Sequence, residues 1–376
     1  MWTMPRQGLG HSVREVSRQR AASSHPSSVF GSPVQSPLSG RFVKSGDARL
    51  ARSPDFRYQS VFVRTRPLGK TGLVVSEMAL GTWGLSGDGY GKVDPAVAER
   101  VLLRGIDIGC TLVDTADAYG AGSMEATLRG VLAAHPEVRV VSKGGTDRTT
   151  SPPTKRLQPE YLRASVQRSL KRLGRETIDV YLLHNPSADG VVTSQATDTL
   201  QAMKKEGLIL HWGVSAGEPD VARAALQKGA EVVALAYNLF HAIDLHRLAG
   251  ELMVQGTGVL AHSTLSYGLL AGMWAKDREF PEGDHRAERW TKLELARRVE
   301  QLEVVRYLVK GDVHTLRSAA VRFVLANHLV SSAVLGARSV EQLEQLVRET
   351  GSGPTYLPDA DLAALPRALS RVGIAT

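Results

Sequence analysis

The sequence predicts an α/β protein built as a (β/α)8 barrel, the TIM-barrel architecture, behind an N-terminal hairpin and a disordered N-terminal tail. Three observations predict it. From residue 62 onward, eight short apolar runs alternate with longer amphipathic stretches. The runs are rich in Val, Ile and Leu, as strands buried on both faces are. Eight such units fill about 310 residues, which fits this architecture. The rival is an open, doubly wound sheet that binds dinucleotides. It lacks support, because no Gly-x-Gly-x-x-Gly turn follows the first run.

The elements follow in order. Residues 62–74, with Gly69 and Gly72, read as a hairpin ahead of the barrel. Strands are expected near 75–82, 112–116, 138–143, 178–184, 209–215, 231–237, 258–263 and 332–336. Asp94-Pro95 offers an N-cap and a first helical position for the first helix. Ser123 opens the second helix, and Pro159 opens the third, over 159–173. Others are expected near 195–206, 219–229, 243–255, 289–310 with 314–328, and 339–349. The barrel is placed at 62–350, and 351–376 form a C-terminal extension.

The first sixty residues are a different material. The chain carries 46 Lys+Arg against 38 Asp+Glu, a net charge of +8 over 376 residues. Residues 1–60 hold nine basic residues (Arg6, Arg14, Arg18, Arg20, Arg41, Lys44, Arg49, Arg52, Arg57) and three acidic ones (Glu15, Asp47, Asp55). The remainder therefore holds 37 basic and 35 acidic residues, a net of +2. The segment shows no sustained period and spaces Pro26, Pro33 and Pro37 through its middle. Such a chain buries too little apolar area to offset its ordering entropy, so disorder is expected. It lacks the apolar stretch of a secretory signal. A functionless tail or over-extended start is one reading, an organellar transit peptide a second, a basic interaction tail a third.

Composition excludes several classes. A nearly neutral body argues against nucleic-acid binding. No window approaches eighteen uninterrupted apolar residues, so no membrane span is expected. A single cysteine, Cys110, permits no intramolecular disulfide. A cytoplasmic monomer or small homo-oligomer is expected, with organellar import through residues 1–60 as the alternative.

In a barrel the chemistry sits at the C-terminal ends of the strands. Gly81-Thr82-Trp83-Gly84 follows the first. Asp114 ends the second, with Tyr119 in the turn beyond it. Lys143 ends the third and His184 the fourth. Taken singly, each has a plain structural use as a cap, a packing ring, an ion-pair partner or a core histidine. Together they form a coherent proton-transfer set. An ammonium beside a phenol stabilises the phenolate, a carboxylate keeps a buried lysine charged, and a histidine orients a carbonyl oxygen.

The combination resembles the aldo-keto reductase family over roughly residues 62–350. The carrying residues are Gly109-Cys110-Thr111-Leu112-Val113-Asp114-Thr115-Ala116-Asp117-Ala118-Tyr119-Gly120, Val140-Val141-Ser142-Lys143 and Asp179-Val180-Tyr181-Leu182-Leu183-His184. Arg66-Pro67-Leu68-Gly69-Lys70-Thr71-Gly72-Leu73, Leu80-Gly81-Thr82-Trp83, Gly213-Val214-Ser215, Tyr237-Asn238-Leu239, Leu265–Gly272 and Leu335-Gly336-Ala337-Arg338-Ser339 are also similar. The resemblance implies an NAD(P)-dependent reduction of an aldehyde or ketone, reversible as alcohol oxidation. Tyr119 would be the general acid, Lys143 the group that tunes it, Asp114 the partner of Lys143, and His184 the substrate orienter. It also implies cofactor contacts from Thr82, Trp83 and Asp114 at the nicotinamide end, and from Ser215. Ser263, Leu265 and Gly268 would lie at the pyrophosphate, and Lys276, Arg278 and Arg286 of the same loop would clamp it, a solvated basic loop being the other reading of those three. Gly336, Arg338 and Gln342 would lie at the adenosine phosphate. Arg338 favours NADP, with NAD the alternative, because a guanidinium grips a 2′-phosphate bidentately.

Five positions depart from the family pattern. Ala216 and Ala234 stand where amide side chains normally hold the nicotinamide carboxamide. Thr264 replaces a proline, and Gln345-Leu346 replaces a Glu-Asn pair near the adenine. Two other readings are kept open: a cofactor-sensing barrel that binds a partner protein, and a Schiff-base lyase using Lys143.

Overall fold

The computed structural model describes residues 63–351 and 353–376. The expected tail, residues 1–60, lies outside the described residues. β1 (Thr65–Pro67) and β2 (Val74–Ser76) pair antiparallel as the expected hairpin. The alternation then runs β3 (Met78–Gly81), α1 (Pro95–Asp107), β4 (Leu112–Asp114), α2 (Ser123–Ala134) and β5 (Arg139–Gly144). A small antiparallel hairpin, β6 (Thr146–Asp147) and β7 (Thr154–Lys155), precedes α3 (Pro159–Leu173). Next come β8 (Ile178–His184), α4 (Ala188–Thr193), α5 (Ala196–Lys205), β9 (Ile209–Ala216), α6 (Pro219–Gln227), β10 (Val232–Ala236) and α7 (Ile243–Gln255). β11 (Gly258–His262), α8 (Lys292–Gln301), α9 (Leu316–Ala326), β12 (Val330–Leu335), α10 (Val340–Thr350) and α11 (Asp359–Ser370) complete the described chain.

Strands β3, β4, β5, β8, β9, β10, β11 and β12 close into a barrel in that order, every neighbouring pair parallel. Side chains alternate between two apolar layers, because successive residues of a strand face opposite sides. The inner layer includes Ala79, Leu112, Val141, Val180, Leu182, Val232, Ala234 and Leu260. Leu68 and Val75 of the hairpin join it and plug the N-terminal end. Gly258 is required there, since a Cβ on it would stand 2.7 Å from Leu68 Cδ1. The outer layer buries the strands against the helices.

Local signals explain most boundaries. Asp94 caps α1, its carboxylate accepting from the Ala96 amide at 2.8 Å with Pro95 in the first turn. Thr291 and Glu294 form a reciprocal capping box, so α8 starts at 292 rather than at the expected 289. The expected helix 289–310 is also split, since beyond Gln301 it tightens into a 3₁₀ stretch over 302–308. The run expected as one strand over 75–82 divides at Glu77, where the chain passes from hairpin to barrel. Glu77 is buried there against Arg66, with the Tyr356 hydroxyl donating to it. The C-terminal extension supplies α11. Its Asp361 accepts from Lys310 at 2.8 Å, and the Asp361 carbonyl accepts from the Tyr307 hydroxyl at 2.9 Å.

Candidate active site

Parallel register places the polar strand ends side by side. Gly81 pairs with Asp114, Lys143 with Leu182, and His184 with Ser215. Asp114 and Lys143 are 6% and 3% exposed, a depth at which a lone charge is untenable. They pair instead. Lys143 Nζ donates to Asp114 Oδ1 at 2.6 Å, to the Thr115 carbonyl at 2.9 Å and, more weakly, to Tyr119 Oη at 3.5 Å. Three acceptors match the three N–H bonds of an ammonium.

The turn after β4 delivers Tyr119. Gly120, Ala121 and Gly122 all take positive φ, at 57°, 52° and 94°. This reverses the chain into α2 and leaves the Tyr119 ring over Lys143, whose Nζ lies 5.1 Å from the ring centroid. Ala121 is the strained member, because a residue with a Cβ pays for the left-handed region. The turn is held from outside. The Gly120 amide donates to Asp88 Oδ2 at 2.6 Å. Arg148 Nη1 donates to the Ala118 carbonyl at 2.6 Å and to Asp88 at 3.1 Å. His184 meets the Tyr119 ring edge-on, with centroids 5.9 Å apart.

Electrostatics assign the resting protons. Burial raises the Tyr119 pKa and Lys143 opposes it, with a net rise, so the phenol is protonated at neutral pH. Burial alone would discharge Lys143, but Asp114 and Tyr119 outweigh it and its pKa is raised. Burial also raises Asp114, against the pull of Lys143. His184 is driven well below the ordinary histidine range, first by burial and then by Lys143 and Lys155, so its ring is neutral. With its pKa raised, Lys143 rests as an ammonium that offers no lone pair to a carbonyl carbon, which disfavours the Schiff-base reading.

A family model for the aldo/keto reductase family matches residues 77–354. The chain belongs to the aldo/keto reductase family. It is an NAD(P)H-dependent oxidoreductase that reduces carbonyl compounds. L-glyceraldehyde 3-phosphate reductase of Escherichia coli (strain K12) is 27% identical over 303 residues, covering 75% of this chain and 86% of that protein. The NADH-specific methylglyoxal reductase of the same strain is 28% identical over 303 residues, covering 75% and 91%. Among solved structures, the glycerol dehydrogenase AKR11B4 from Gluconobacter oxydans aligns with TM-score 0.71 at 26% identity, covering 85% of this chain and 98% of that one. The holo form of aldo-keto reductase AKR11C1 from Bacillus halodurans shares the fold, with TM-score 0.68 at 22% identity, covering 81% and 96%.

The expected cofactor residues fall around the same mouth. Thr82 is buried, and its hydroxyl donates to the Asp114 carbonyl at 3.0 Å. The Trp83 ring packs against Tyr90 and His285. The Ser215 hydroxyl donates to Asn185 Oδ1 at 3.1 Å. Ser263 and Gly268 take φ of 55° and 97° and flank Leu265 in the irregular loop after β11. A Cβ on Gly336 would meet open space, which leaves room beside the β12 end. Gln342 Oε1 accepts from the Arg338 amide at 3.0 Å. These hydroxyl, amide and guanidinium groups suit a nicotinamide dinucleotide. Two cations are already engaged, however. Arg286 is clamped by Asp284, with contacts of 2.9 and 2.5 Å. Arg338 donates to the carbonyls of Gly84 at 3.2 Å and Gly91 at 3.0 Å. Lys276 pairs with Glu300 on the surface, and Arg278 lies over the Trp274 and Phe280 rings. Ala216 and Ala234 are buried, and Ala234 belongs to the inner layer.

Sequence reasoning passed over Asp88 and Arg148, which brace the Tyr119 turn. It also passed over His262 at the end of β11. Burial first, and then Lys143, lower the His262 pKa to about 4. A histidine closing an apolar strand was the signal that exposed His184, and it applied equally at 262.

Proposed function

We propose that this enzyme reduces short aldehydes or ketones with NADPH, with Tyr119 donating the proton. The observation that carries the reading is Lys143 Nζ, set between Asp114 Oδ1 and Tyr119 Oη at the barrel mouth. Asp114 keeps Lys143 charged. The ammonium stabilises the phenolate left as Tyr119 releases its proton to the substrate oxygen, a general-acid role of about 10²–10⁴-fold in rate. Neutral His184 offers a ring N–H to the same oxygen and carries no charge that would compete for the proton. Thr82, Trp83 and Ser215 would hold the nicotinamide end, and Arg338 and Gln342 the adenosine end. When bound, the reduced nicotinamide supplies the hydride to the carbonyl carbon.

Preference for NADPH rests on Arg338, whose guanidinium meets a 2′-phosphate by leaving carbonyl acceptors for a charged one. Short substrates are supported by the relatives that act on L-glyceraldehyde 3-phosphate and methylglyoxal. A screen of NADPH and NADH oxidation over aliphatic, aromatic and sugar-derived aldehydes tests the reading. Turnover is expected with a short aldehyde, faster with NADPH. Oxidation of neither cofactor by any carbonyl would contradict it.

A further inference from the structure

Behind the Tyr119 turn, on the outer wall of the barrel, lies a cleft of about 500 Å³. Four arginines line it. Arg148 directly follows β6 and Arg156 directly follows β7, and Arg168 and Arg172 come from successive turns of α3. Two like charges at i and i+4 on a helix repel. Arg172 is compensated by Glu125, to which its Nε donates at 2.7 Å. Arg168 has no ion pair among the described residues. It lies over the Tyr161 ring at 5.6 Å, and Arg156 lies over the same ring at 5.0 Å. One aromatic ring thus gathers two guanidiniums at the cleft wall.

Two carboxylates also line the cleft, and of these Asp117 keeps Oδ1 without a hydrogen-bond partner among the described residues, so four guanidiniums face two acids. Asp147 accepts from Arg156 at 3.1 Å and from Thr149 at 2.6 Å, and Asp117 accepts from Ser165 at 2.5 Å. Arg148 and Arg156 each use only Nη1 in these contacts. Their Nε and Nη2 groups, and all five N–H bonds of Arg168, remain for a ligand among the described residues. Several planar donors around an open cleft of this size suit a tetrahedral dianion with a small organic tail.

We propose that this cleft binds a phosphate monoester of a small metabolite, at a site separate from the proton-transfer groups, and that its occupancy is felt at Tyr119. Arg148 is the connection. The bonds that hold the catalytic turn, Arg148 to the Ala118 carbonyl and Asp88 to the Gly120 amide, flank Tyr119 on both sides. A phosphate that draws Arg148 toward the cleft loosens one of them.

Calorimetric titration of the full chain, saturated with reduced cofactor so that the dinucleotide site is filled, tests the proposal. Inorganic phosphate and glycerol 3-phosphate are the probes, with chloride at matched ionic strength as the control. Saturable binding of glycerol 3-phosphate is expected at or below about 1 mM, a modest affinity for a small anion. The double variant Arg156→Gln/Arg168→Gln should weaken it at least tenfold, with cofactor affinity and phosphate-free turnover unchanged. Glycerol 3-phosphate should alter wild-type turnover and leave that of the double variant unchanged. No saturable heat with either probe, or equal affinity in the double variant, would overturn the site. Binding without any change in turnover would overturn the link to Tyr119. Both outcomes are read independently of which carbonyl the enzyme reduces.

Discussion

The two sides of the barrel mouth are built differently. On the side of β4, β5 and β8, every polar group expected for proton transfer is present within direct contact of the next. The chain runs from Asp114 to Lys143 at 2.6 Å and from Lys143 to Tyr119 at 3.5 Å, with His184 against the phenol ring. On the side of β9 to β12, alanines stand at 216 and 234, and the two best-placed arginines are held by protein partners. The difference teaches where precision is needed. On the proposed roles, proton transfer fails with small displacements, and the groups assigned to it sit on rigid strand ends or on a turn braced by Asp88 and Arg148. A cofactor grip of the kind proposed for the other side is a sum over many contacts, so individual members could be exchanged or redirected.

Perturbations of the first side should be severe. Lys143→Met leaves Asp114 buried without its counter-charge. Breaking such a pair costs about 3–5 kcal/mol of stability, and carbonyl reduction should fall at least about 100-fold. Denaturant unfolding and turnover assays check both. If Lys143→Met kept its stability and activity, the ion pair would not organise the site. Perturbations of the second side should be graded. Arg338→Ala should weaken NADPH binding by about tenfold, in line with the loss of one charge-assisted contact, and leave NADH nearly unchanged. Equal effects on both cofactors would mean that Arg338 only ties the β12 loop to Gly84 and Gly91. The smallest effect is a gain. Ala216→Asn restores one amide and should tighten cofactor binding by a few-fold, since one net hydrogen bond is worth about 0.5–1.5 kcal/mol. Fluorescence titration reads this, and unchanged affinity would show that position 216 does not reach the nicotinamide.

The same contrast explains what was legible in the sequence. The eight strands were readable because parallel barrel strands are short apolar runs, and strand ends then pointed to Asp114, Tyr119, Lys143 and His184. The run over 75–82 misled because β2 and β3 abut at Glu77 and share one apolar signature. β6, β7 and α4 are too short to carry a period. The pairing of Arg286 with Asp284 had a sequence signal, since the two lie two positions apart. The contacts of Arg338 did not, because Gly84 and Gly91 are remote in sequence and meet it only through closure of the barrel. Like charges such as Arg168 and Arg172 are visible in sequence, but the cleft that collects them with Arg148 and Arg156 is not.

The central claim is that Tyr119 supplies the proton while the rest of the mouth holds the cofactor. Tyr119→Phe removes one oxygen and leaves the ring, Lys143 and Asp114 in place. Cofactor affinity by fluorescence titration and carbonyl reduction under cofactor saturation are to be measured on the same preparation. The account predicts unchanged affinity and turnover reduced by about 10²–10⁴-fold. Retention of wild-type turnover by Tyr119→Phe would contradict it.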